Sequence, residues 1–131
     1  MPPTQLTDIE QAGSTLVVRF LEAINAFDDE VFERWPQEWD RLRLRIEADN
    51  VQSLVIDFSE LEYFGSIMLK RLFKMWKLIG NKPVAADGPA KDKMAVCHVS
   101  DVGQDILRVA GFEKICPIYA DLDTAIAQLQ A

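Results

Sequence analysis

The spacing of apolar and polar positions changes period several times along the 131-residue chain, and each change marks an element. Asp8 to Gln11 and the β-branched, apolar run from Thr15 to Phe20 read as two short strands. Ala12-Gly13-Ser14 joins them as the turn of a hairpin. The stretch "AFDDEVFERWPQEWDRLRLRIEADN" then follows a helical period. Asp28 is placed to cap this helix, and Asp29 and Glu30 suit a first turn at the positive end of the helix dipole. Pro36 has no amide hydrogen and disfavours helical geometry at Trp35. It predicts a short helix before it and a longer one from Pro36 to Ala48, with the proline at the first helical position. Trp39, Leu42 and Ile46 recur at helical spacing as candidate core, while Arg41, Arg43 and Arg45 lie among acids as a salt-bridged, solvated face.

"SLVIDF", residues 53–58, is almost continuously apolar and predicts a strand covered on both faces, as in a parallel sheet. A loop and an apolar, basic helix follow, "LEYFGSIMLKRLFKMWKLIG", ending at Gly80. Residues 81–93 are rich in Pro, Gly, Asp and Lys and predict a long loop. "MAVCHVS" is a further buried strand. "DVGQDILRVAGF" is a helix in which Asp101 can cap, Gln104 occupies the capping-box position and Gly111 can terminate. "KICPIYA" is a strand whose Pro117 places it at a sheet edge. "DLDTAIAQLQ" closes the chain with Leu122, Ile126 and Leu129 on one helical face. The order is a β-hairpin followed by αβαβαβα, which predicts an α/β fold with a mixed central sheet and helices packed on it. Functional groups in such folds gather at the carboxyl ends of strands, here Asp57–Gly65, His98–Asp101 and Tyr119–Asp121.

Composition narrows the function classes. The length fits one domain spanning residues 1–131, with its core over about 7–130. Net charge is −7, which argues against a general nucleic-acid binder. The charge is uneven: Lys70, Arg71, Lys74 and Lys77 give the segment from Ser66 to Gly80 a charge of +4, leaving −11 on the rest. A basic helix on an acidic body suits an acidic protein surface, although a solvated polar face has the same composition. No run reaches a membrane span, and "MPPTQLTDIE" lacks the basic start and apolar stretch of a signal peptide. The expected location is cytoplasmic, with Cys97 and Cys116 reduced.

Catalytic chemistry finds little support. The single histidine, His98, follows Cys97, and neighbours on a strand point to opposite faces, so they do not pair without distortion. One histidine and two distant cysteines make a poor zinc set, and there is no glycine-rich phosphate loop. No metal and no cofactor is expected. Asp57 ends a central strand without the companion acids of a magnesium-dependent phosphoacceptor, so it reads as a turn residue that hydrogen-bonds its loop. Ser66 follows a glycine and opens a helix. It can act as an N-cap, and it can hold a phosphate, because free N–H groups and the dipole favour an anion there. Phosphorylation would change the local surface by about −1.5 to −2 charges.

The order of elements, "LVIDFSELEYFGSIML" and "MAVCHVSDVGQDILRVAGFEKICPIY" together resemble a STAS domain, the fold of bacterial anti-sigma factor antagonists, over residues 7–130. In that family the loop before the second main helix carries Asp-Ser-(Ser/Thr)-Gly-Leu. Ser66 falls on the phosphorylated serine, while Gly65, Ile67 and Met68 replace the aspartate, the second hydroxyl residue and the glycine. The resemblance implies a non-catalytic binding module that docks a kinase-type anti-sigma factor, with Ser66 phosphorylated by that kinase and restored by a phosphatase. Tyr63, Phe64, Gly65, Ile67, Met68, Lys70, Arg71 and Lys74 are then candidate contacts. A constitutive interaction scaffold with Ser66 as a helix cap, and a small-ligand-binding domain, are the alternatives; a homodimer is left open.

Overall fold

The structure is a computed structural model and describes residues 6–21, 29–81 and 92–130. The predicted cap at Asp28 and most of the predicted 81–93 loop lie outside those residues. The elements are β1 (Thr7–Ala12), β2 (Thr15–Phe20), α1 (Asp29–Glu47), β3 (Ser53–Asp57), α2 (Ser66–Gly80), β4 (Met94–Cys97), α3 (Asp101–Val109), β5 (Ile118–Tyr119) and α4 (Leu122–Gln130). The five strands form one sheet in the order β1-β2-β3-β4-β5. β1 is antiparallel to β2, and each later pair is parallel. This is the mixed α/β sheet that the alternating periods predict.

In the hairpin, Ala12 pairs with Thr15, so Gly13 and Ser14 form the turn, and Gly13 takes the left-handed conformation that glycine tolerates. All five residues of β3 are buried, as expected of a strand covered on both sides. Its two faces serve different layers. Leu54 and Ile56 join Leu16, Val18, Met94 and Val96 in the larger core with Leu42 and Ile46 of α1 and Leu72, Met75 and Ile79 of α2. Val55 joins Val17, Ala95 and Cys97 beneath Ala125 and Leu129 of α4. The sheet is thus sandwiched, and its buried aliphatic positions supply the main stabilising burial.

Three predictions need correction. α1 is one helix, with Pro36 inside it rather than at its start. Proline removes one backbone hydrogen bond there, but side chains on both sides of it are tied down. Trp35 and Trp39 pack with ring centroids 6.4 Å apart, the Arg71 guanidinium lies 3.9 Å from the Trp35 centroid, and Lys74 Nζ lies 5.8 Å from that of Trp39. The "KICPIYA" strand shrinks to Ile118–Tyr119, at the sheet edge as Pro117 predicts; a single 3₁₀ turn, Phe112–Lys114, precedes it. The cap of α3 is Ser100, not Asp101: its hydroxyl accepts from the Gly103 N–H, and Gln104 Nε2 donates to the Val99 carbonyl. Gly111, at φ +76, ends that helix as expected. Among the described residues no helix is long and apolar enough to cross a membrane.

Candidate functional site

The loop after β3 and the first turn of α2 form an exposed surface built on buried anchors. Phe58 and Phe64 stack with centroids 4.9 Å apart, and Phe64 and Met68 are buried. The Ser100 hydroxyl donates to the Glu62 carbonyl, which ties this loop to the start of α3. Between the anchors, Tyr63 and Ile67 are exposed large hydrophobics, and Glu62, Gly65, Ser66 and Lys70 are also exposed. Ser66 is the first residue of α2, so its reading as the N-cap is corrected. Gly65 holds that position in extended geometry, with no side chain capping the helix. The serine hydroxyl therefore stands at the open end of a helix whose first N–H groups have no side-chain partner.

The structure divides the candidate contact residues. Tyr63, Gly65, Ile67, Lys70 and Lys74 are exposed, whereas Phe64, Met68 and Arg71 are buried and shape the surface from below. Arg71 is 8% exposed, stacked on Trp35, and burial lowers its pKa from the ordinary value. Its placement accounts for part of the excess apolar and basic character of α2: one side faces the sheet and another faces the tryptophans of α1. Lys70, Lys74 and Lys77 remain as exposed bases.

A second cluster went unread in the sequence. The register aligns Asp8, Arg19, Asp57, Cys97 and Tyr119 as successive neighbours across all five strands. Arg19 Nε donates to Asp57 Oδ2 at 3.0 Å, and Arg19 also pairs with Asp8 at 3.5 Å. The Ser59 N–H donates to Asp57 Oδ1 at 2.8 Å, the loop hydrogen bond expected of this aspartate. His98 Nδ1 lies 3.0 Å from the same Oδ1. Burial raises the Asp57 pKa, but the hydrogen bonds from Ser59, His98 and Arg19 outweigh it, and the carboxyl is held below its ordinary range. Asp57 is 1% exposed and both its oxygens accept hydrogen bonds, which makes it a poor phosphoacceptor.

His98 supplies the distortion that regular strand alternation excludes: its φ of +55 follows the end of β4 and its ring lies against Asp57. One oxygen of Asp57, Cys97 Sγ and a ring nitrogen of His98 consequently lie within 4.8 Å of one another. Cys97 and Cys116 are both free and buried, and burial pushes each thiol up to about 12. Beside the cluster, a groove of about 840 Å³ opens between the β3–α2 and β4–α3 connections, lined by Phe58 to Tyr63 and His98 to Ser100. Arg19, Asp57 and Cys97 lie at or next to the ends of β2, β3 and β4. Only the register shows that these positions adjoin.

No protein-family model matches the sequence, and neither does any curated protein. Solved structures do match in fold. An anti-sigma-factor antagonist (STAS) domain protein from Planctomyces limnophilus aligns with a TM-score of 0.72 and 18% identity, covering 95% of this chain and 98% of that one. An anti-sigma factor antagonist from Mycobacterium paratuberculosis aligns with a TM-score of 0.68 and 21% identity, covering 100% and 98%. The chain has the STAS fold, as the resemblance of its sequence implied.

Proposed function

We propose that this protein is a non-catalytic regulatory module of the anti-sigma factor antagonist type. It docks a kinase-type anti-sigma factor through the Ser66 loop and the first turns of α2. The observation that carries this reading is the placement of Ser66: an exposed hydroxyl between exposed Tyr63 and Ile67, on a segment pinned from below by Phe64 and Met68. A pinned loop loses little conformational freedom on binding, which favours a docking surface. Lys70, Lys74 and Lys77 extend it with positive charge that complements an acidic partner.

Phosphorylation of Ser66 is the switch in this proposal. The open helix end accommodates the phosphate without unfolding the helix, while the added charge and its hydration oppose burial of Tyr63 and Ile67 against the partner. A phosphatase returns the surface to its docking form. The structure weakens the rival role of Ser66 as a stabilising cap, since no side chain caps α2. The test is incubation with the host's anti-sigma-factor serine kinases and ATP, followed by mass spectrometry. Phosphate on Ser66, abolished in Ser66→Ala, is expected; no modification of Ser66 by any of them would sink the switch.

A further inference from the structure

We propose that Asp57, Cys97 and His98 form a binding site for a borderline-soft divalent cation of the zinc class, with Asp57 Oδ1, Cys97 Sγ and His98 Nδ1 as its protein ligands. Carboxylate, thiolate and imidazole are the donor types such ions prefer, and three protein ligands leave a fourth position for water. The three side chains already converge within 4.8 Å, with His98 Nδ1 and Asp57 Oδ1 3.0 Å apart. Tetrahedral zinc sets its ligand atoms about 3.5 Å apart, so the groups have to close by no more than about 1.5 Å.

Two further features support the site. His98 is the one non-glycine residue with positive φ among the described residues, and this geometry brings its ring to Asp57. A histidine that continued the strand would point away. The carboxylate is also held in place from outside the cluster: Arg19 Nε occupies Oδ2 and the Ser59 N–H contacts Oδ1. Such outer hydrogen bonds orient metal ligands. Arg19 brings a positive charge, but Asp8 pairs with it. The His98 ring is partly exposed and lines the groove.

Binding balances as an exchange. The cation forms a bond to Cys97 Sγ, and the thiol proton leaves to solvent. His98, whose Nδ1–H faces the Asp57 carboxylate in the metal-free chain, passes that hydrogen to solvent, takes one up at Nε2, and binds as neutral imidazole through Nδ1. One proton is released per cation.

The test uses the reduced, metal-free full chain with Co²⁺ as a spectroscopic probe and Zn²⁺ as competitor, and requires no protein partner. One equivalent of Co²⁺ should produce a thiolate-to-cobalt charge-transfer band, and Zn²⁺ should bleach it. Cys97→Ala should abolish the band, His98→Gly should weaken binding at least tenfold, and Cys116→Ala should leave both unchanged. Glycine suits the φ of His98, so His98→Gly removes the ligand while keeping the backbone, and it decides the matter if Cys97→Ala does not fold. Absence of the band, its survival in Cys97→Ala, or equal affinity in His98→Gly would overturn the proposal.

Discussion

Ser66 and Asp57 show how differently single residues are used at the carboxyl end of this sheet. Ser66 is exposed and caps nothing, so Ser66→Ala should change folding stability by less than about 0.5 kcal/mol in denaturant titration. Gly65 sits at the vacant cap position in a backbone geometry open to any residue, with nothing within 4 Å of an added Cβ. Gly65→Asp should therefore stabilise the fold by a few tenths of a kcal/mol. Asp57 is buried and engaged. Its carboxyl pKa is lowered in the folded chain, so its contribution is fully present above the unfolded value of about 3.9 and disappears as pH falls through the folded value. Unfolding followed against pH should show this loss in the wild type and a flatter acid limb in Asp57→Asn. The two thiols give a fourth check. With both pushed up to about 12 by burial, a disulfide-exchange reagent near neutral pH should label neither in the native chain and both after unfolding.

At the scale of elements, the start of α3 is pressed against the loop that leads to Ser66. A Cβ at Gly103 would meet Val99 Cγ1 at 2.8 Å and Phe64 Cε1 at 3.1 Å. Gly103→Ala should cost about 1–3 kcal/mol in a denaturation curve and displace Phe64, loosening the Ser66 loop; an unchanged midpoint would contradict that packing. The order of the strands and main helices along the chain was readable from hydrophobic period and turn residues, with α1 split in two at Pro36. Details that depend on neighbours were not. Pro36 predicts a break, yet α1 continues because tryptophans beside the proline are held against α2 by Arg71 and Lys74. Likewise, helical spacing shows that α2 has more apolar surface than one stripe, but only packing shows that Phe64, Met68 and Arg71 are buried while Tyr63 and Ile67 are exposed.

For the whole molecule, the mixed α/β class followed from a hairpin and three αβ units, while the order of strands in the sheet is seen only in the structure. The loop bearing Ser66 was legible because a helix start and a glycine mark it locally. The Arg19–Asp57–Cys97 row was not, because those residues come from three strands and only register places them side by side. His98 was misread for a related reason: strand alternation assumes regular backbone, and its backbone is not regular. One scaffold thus carries the exposed Ser66 loop after its middle strand and a polar row across the same end of the sheet. In the proposed function, the charge state of Ser66 governs docking. Its most direct measurement is the affinity of the unmodified and Ser66-phosphorylated chains for the kinase-type anti-sigma factor, by calorimetry with a non-hydrolysable nucleotide. At least tenfold weaker binding of the phosphorylated chain is predicted, with Ser66→Ala binding like the unmodified form. Equal affinity of the two forms would contradict the account.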